Sequence, residues 1–223
     1  MYNINMLKAV IFDMDGVLVD TEPLADLHFS RFLKDQFNIK VDPEFFQRFR
    51  GSTSKHFWEI IIKEFNLEST YEEISEIARP RYLEFLKKSD LQAIPGIKVL
   101  IENLLKANIK IAVASSASHK RIKTILEIIK LDDKFEIIIS ADHIKNSKPH
   151  PEIYLIAAKT LGVDPKDCIA IEDATNGVRS AKAAGMKVIG FKDSAHNTQN
   201  LAAADLIVKD FKQLTPKILE KIF

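Results

Sequence analysis

The stretch "KAVIFDMDGVLVDTEP", Lys8–Pro23, governs the reading of the whole chain. Its first half, "KAVIFD" (8–13), is almost wholly apolar, as expected of a strand covered on both faces in a parallel sheet. Its second half places three aspartates, Asp13, Asp15 and Asp20, within eight positions. Like charges so close are costly in a dry site, and a metal ion, a substrate phosphate and a helix start are the three ways to relieve them.

Beyond this stretch the same kind of strand recurs. "IKIAVAS" (109–115), "EIIIS" (136–140), "CIAIED" (168–173) and "MKVIG" (186–190) read as buried strands. Between them, "GIKVLIENLLKAN", "HKRIKTILEIIK", "PEIYLIAAKTLG" and "ATNGVRSAKAAG" carry helical spacing. In the first, Ile97, Leu100, Ile101, Leu104 and Leu105 share a face. Pro151 suits a first helical turn, and Gly162 and Gly185 suit C-terminal caps. Such alternation implies an α/β fold with a doubly wound, mostly parallel sheet.

Residues 21–91 interrupt the alternation with helices alone. "PLADLHFSRFLKDQF" sets Ala25, Phe29, Phe32, Leu33 and Phe37 on one face, and "SKHFWEIIIKEF" and "YEEISEIARPRYLEFLKK" follow. Pro80 is expected to kink or split the last of these. The expected organisation is an α/β core from residues 1–20 and 92–223 with a helical domain, 21–91, inserted after the first strand. "DTEP" reads as a helix start with Asp20 as its N-cap, which accounts for the third aspartate.

Composition narrows the function. Of 223 residues 46% are hydrophobic, and 32 lysines and arginines balance 31 acids, which argues against nucleic acid or an anionic membrane as partner. No apolar run approaches the roughly 20 residues that span a bilayer, and the N-terminal stretch lacks the features of a signal peptide. Cytoplasmic location and a monomer are the default expectations. Cys168, the single cysteine, cannot form an internal disulfide and reads as a core strand residue.

Ligands of an open α/β sheet bind beyond the carboxyl ends of its strands. There the chain offers Asp13-Met14-Asp15-Gly16, Ser115-Ser116, Lys148 in "NSKPHP" and Glu172-Asp173. Carboxylates with few softer ligands suit a hard cation such as Mg²⁺ and argue against zinc.

Together "FDMDGVLVDTEP", "VASSAS", "SKPHPEIY" and "IEDATNG" resemble, in order and spacing, the four motifs of the haloacid-dehalogenase (HAD) superfamily. The helical insertion resembles the cap of its subgroup of β-phosphoglucomutases and small sugar-phosphate phosphatases. The resemblance implies a HAD-like Rossmannoid core in which Asp13 is the nucleophile and Asp15 the acid and base. It implies Mg²⁺ held by Asp13, the Asp15 backbone carbonyl and Asp173 with Glu172 assisting, and a phosphoryl group met by Ser115 and Lys148. It implies further that the cap opens and closes on hinges near Asp20 and Pro95.

In the cap loop "RFRGSTSKHFW", Gly51 and Thr53 fit the pattern of the mutases, but Ser54 stands where their substrate-gripping arginine belongs, with Lys55 and Arg50 as poor substitutes. Ala25 likewise replaces a mutase histidine, while "DTEP" and Asn176 look more like the phosphatases. The expected activity is therefore Mg²⁺-dependent hydrolysis of a small sugar or polyol phosphate through an aspartyl phosphate. The alternative is β-phosphoglucomutase activity, interconverting β-glucose 1-phosphate and glucose 6-phosphate. Expected substrate contacts are Gly51, Thr53, Ser54, Lys55, Ser116 and Asn176. A carbon-directed dehalogenase would not need Asp15, and a receiver module would not carry so large a cap.

Overall fold

The structure, a computed structural model, describes residues 7–49, 53–192 and 198–222. Six strands form one sheet: β1 (Ala9–Phe12), β2 (Lys110–Ala114), β3 (Ile138–Ile139), β4 (Cys168–Glu172), β5 (Lys187–Phe191) and β6 (Leu206–Val208). Their order is β3-β2-β1-β4-β5-β6 and every pairing is parallel. The apolar run around which the chain was read thus lies at the centre, between β2 and β4. All four residues of β1 are fully buried, which is why the run needs no polar alternation.

Between β1 and β2 in the chain come α1 (Glu22–Phe37), α2 (Ser54–Glu64) and α3 (Tyr71–Lys87), with a 3-10 turn over Pro43–Phe49. After them α4 (Ile97–Lys106), α5 (His119–Ile128), α6 (Glu152–Leu161) and α7 (Thr175–Ala183) alternate with β2 to β5, and the short α8 (Pro216–Glu220) follows β6. The chain divides into two compact units, Met1–Asp20 with Leu91–Phe223, and Thr21–Asp90. Among the described residues no helix is long and apolar enough to cross a membrane.

In the α/β unit, Ile153, Tyr154 and Ala157 of α6 and Val178 and Ala181 of α7 join Ala9, Ile11, Ala112 and Cys168 of the strands in one core. Cys168 is buried there, and burial first, with the nearby Asp167 and Asp164 charges, pushes its thiol up to about 12. It is an inert core residue at ordinary pH. The helical unit closes on aromatic rings. Phe32, Phe46, Phe57 and Trp58 are buried with Leu33, Ile61 and Ile74. His28 sits among the rings of Phe29, Phe32, Tyr82 and Phe85, is only 7% exposed, and its Nε2 has no hydrogen-bond partner.

Four details depart from the sequence reading. The helix after β1 begins later than an Asp20 cap requires: Thr21 holds the N-cap position, without a side-chain cap bond. Of the kink or split expected at Pro80, the split is absent: α3 runs through it, because it lies on the exposed face, where water can satisfy the carbonyl released one turn earlier. The run at 136–140 shrinks to a two-residue edge strand, since Ser140 already caps a 3-10 turn over Ala141–His143. The edge strand β6, within "DLIVKD", carried too short an alternation to be read.

Candidate active site

Parallel register brings the carboxyl ends of the central strands level. Phe12 is opposite both Val113 and Ile171, so Asp13 emerges beside the ends of β2 and β4, its N–H donating to the Ile171 carbonyl at 3.0 Å. Gly16 then turns the chain at φ +77°; a Cβ there would lie 2.1 Å from the Asp173 carboxylate, so only glycine lets this turn approach so closely.

Lys148 ties the strand ends together. Its Nζ donates to Asp13 Oδ1 and Glu172 Oε1, both at 2.6 Å, and to the Ala114 carbonyl at 3.1 Å. Glu152, at the start of α6, accepts the N–H groups of Lys145 and Asn146 at 2.9 Å and so secures the loop that carries Lys148. Glu172, 1% exposed, is engaged through both carboxylate oxygens. Its Oε1 also accepts from the Tyr154 hydroxyl at 2.6 Å, and Oε2 faces the N–H groups of Asp173 and Ala174 at 3.2 and 3.4 Å. Gly177 makes room for it, since a Cβ there would stand about 2 Å from the same carboxylate. Buried Ser115 accepts the Ala117 N–H at 3.2 Å through its Oγ, which leaves its own hydroxyl proton to be donated.

The electrostatics are those of a site short of positive charge. Burial raises the Asp13 pKa to about 7, the Glu172 and Asp15 charges adding to it and Lys148 opposing. Burial would lower Lys148, but Asp13 and Glu172 outweigh that and hold it charged, above its ordinary value. Asp13, Glu172 and Asp173 each bring a carboxylate oxygen within 4.8 Å of the others. Three hard oxygen donors against one lysine fit a hard divalent cation, which would also restore Asp13 to its ionised form.

Asp15 stands apart from that cluster, its Oδ1 accepting from Arg121 Nη2 at 2.7 Å. Ser116 is exposed beside Ser115, and Asn176 is exposed in the first turn of α7. Thr53, Ser54 and Lys55 belong to the helical unit. Thr53 caps α2 by accepting the His56 N–H, Ser54 is its exposed first residue, and exposed Lys55 lies 3.8 Å from Glu59. Gly51 and Arg50 lie outside the described residues.

Two residues of this rim escaped the sequence reading. Tyr154 falls within the helical run "PEIYLIAAKTLG", and nothing in "PEIY" shows that its hydroxyl reaches Glu172. Arg121 did leave a signal: "HKR" puts basic residues into a first helical turn with no acid, against the helix dipole.

The model of a known family, haloacid dehalogenase-like hydrolase, matches residues 10–191. Among curated proteins the chain is similar to a β-phosphoglucomutase of Bacillus subtilis, 33% identical over 96% of this chain and 95% of that one. It is also similar to hexitol phosphatase A of Escherichia coli, 30% identical over 93% of each. Among solved structures it resembles CbbY of Rhodobacter sphaeroides in complex with phosphate, with a TM-score of 0.83 at 26% identity over 93% of this chain and 96% of that one.

Proposed function

The chain belongs to the haloacid dehalogenase-like hydrolases, and from that premise we propose that it is a Mg²⁺-dependent phosphatase of small sugar or polyol phosphates. One observation carries this reading: Asp13, Ser115, Lys148 and the Glu172-Asp173 pair, drawn from four separate stretches of chain, meet at the carboxyl ends of three adjacent strands. Phosphoryl transfer requires little beyond a placed nucleophile and positive charge around the transferring group, and this set supplies both.

In the first step an Asp13 carboxylate oxygen attacks phosphorus. The bond to the ester oxygen breaks, its electron pair stays on that oxygen, and Asp15 supplies the proton that lets the alcohol leave. In the second, Asp15 takes a proton from water as the water oxygen attacks phosphorus, and the bond to Asp13 breaks to return its carboxylate. Lys148, fixed between Asp13 and Glu172, faces the negative charge of the phosphoryl oxygens, and the Ser115 hydroxyl donates to one of them. Asp13, the Asp15 carbonyl and Asp173 would hold Mg²⁺ with Glu172 assisting, and the ion would neutralise phosphoryl charge and keep Asp13 ionised. Ser116 and Asn176, both exposed, would meet the rest of the substrate.

Phosphatase is preferred over mutase because Ser54 supplies no guanidinium fork for a second phosphate. The test is phosphate release with Mg²⁺ from sorbitol 6-phosphate, mannitol 1-phosphate, glucose 6-phosphate and fructose 1-phosphate, alongside β-glucose 1-phosphate with a trace of glucose 1,6-bisphosphate. Free phosphate lost in Asp13→Asn and Asp15→Asn is the expected result. Glucose 6-phosphate formed without matching phosphate would make the protein a mutase, and no turnover of any ester would end both readings.

A further inference from the structure

We infer that Arg121 is a positioning residue for the acid–base step: it aims the Asp15 carboxylate at the ester oxygen and then at the attacking water. The inference rests on the assignment of Asp15 as proton carrier made above.

Arg121 is poorly explained by its own helix. It occupies the third position of α5, after His119 and Lys120, in a first turn with no acidic residue. Positive charge at a helix N-terminus opposes the dipole, so the placement calls for a partner elsewhere. That partner is Asp15, 106 residues earlier, at 2.7 Å from Nη2.

Both ends of this contact are mounted rigidly. Ser118 caps α5 and faces the Arg121 N–H at 3.4 Å, while Ile122 and Ile125 of the same helix are fully buried. On the other side, Asp15 sits in a tight turn closed by Gly16 N–H to the Val19 carbonyl at 2.7 Å, flanked by fully buried Met14, Val17 and Leu18. The side chains themselves stay partly open, 26% exposed for Arg121 and 31% for Asp15. A purely structural ion pair gains little at such exposure. A carboxylate that must serve two reacting oxygens in turn gains more, because catalytic groups have to be held within about 0.5 Å of their working geometry.

The experiment compares esters whose leaving groups differ in their need for a proton. p-Nitrophenolate leaves unprotonated, whereas a sugar or polyol alkoxide does not. Arg121→Met and Arg121→Lys would be assayed on p-nitrophenyl phosphate and on whichever alkyl phosphate of the panel above turns over fastest, beside Asp15→Asn and the Asp15→Asn/Arg121→Met pair.

If Arg121 aims Asp15, Arg121→Met lowers kcat/KM for the alkyl ester about tenfold or more and leaves it within about twofold for p-nitrophenyl phosphate. Arg121→Lys recovers part of the loss, and the double variant is no worse than Asp15→Asn alone. Equal losses on both esters, or a loss confined to KM, would mean that Arg121 grips the substrate, and would overturn the inference. So would additive losses in the double variant, or no loss in either single variant. An Asp15→Asn variant that shows no leaving-group dependence would instead remove the acid–base assignment itself, and the inference with it.

Discussion

His28 should make the helical unit labile in acid, by an amount that can be worked out. Its ring is enclosed by four aromatic side chains, and burial first, with the charges of Arg81 and Arg31, lowers its pKa from 6.5 to about 4. At neutral pH the imidazole is uncharged whether folded or unfolded and titration contributes nothing. As pH falls below about 6.5 the unfolded chain takes up the proton and the folded one does not, so stability drops until the folded pKa near 4 is passed. The full difference, 6.5 to about 4, corresponds to roughly 3 kcal/mol at 1.36 kcal/mol per unit. Most of it, up to about 2–3 kcal/mol, is already lost at pH 4.5.

The assay is urea unfolding of wild type and His28→Leu, followed by the fluorescence of Trp58. Trp58 is the chain's single tryptophan and is buried in the same aromatic cluster. The stability difference between the two proteins at pH 7.5 is subtracted from that at pH 4.5, which cancels the other titrating groups. His28→Leu should gain up to about 2–3 kcal/mol on acidification, roughly 2 M in midpoint for a unit of this size. A difference that is the same at both pH values would refute the reasoning, because it would mean that the folded unit accepts the proton as readily as the unfolded chain.

Two further outcomes follow from single positions. Gly177→Ala would press a methyl group into the Glu172 carboxylate, which Lys148 and Tyr154 hold in place; it should cost about 2–4 kcal/mol in a denaturant titration and lower kcat at least tenfold, and unchanged values of both would show that Glu172 has room to retreat. Lys130 adopts φ +58° after α5 and is exposed. Lys130→Gly should therefore stabilise the α/β unit by about 0.5–1 kcal/mol, read as a higher urea midpoint.

The central strands were legible because burial on both faces leaves a plain record. β1, β2, β4 and β5 lie in the middle of the sheet or next to it, and their sequences are apolar without alternation. The edge strands β3 and β6, two and three residues long, left almost none. The meeting of Asp13, Ser115, Lys148, Glu172 and Asp173 could be anticipated from the rule that parallel strands present their ends on one rim. What could not be read is which side chains hold those residues in place. The Tyr154 hydroxyl and the Arg121 guanidinium act across 18 and 106 residues of chain, and a helical periodicity records only that a residue faces inward. His28 is a similar case, since the pattern of α1 fixes the face it occupies but not the rings contributed by α3.

The central place of β1 also bears on how the protein is made. Between Phe12 and Lys110, the end of β1 and the start of its neighbour β2, lie residues 13–109, or 97 residues; its other neighbour begins only at Cys168. At a synthesis rate of roughly 5–20 residues per second, the strand waits about 5–20 s for its first partner and longer for its second. Throughout that interval a segment with no exposed residue in the finished protein is open to water and to other nascent chains. Expression yield should therefore respond to translation speed and to holdase chaperones more strongly than the stability of the folded enzyme would suggest.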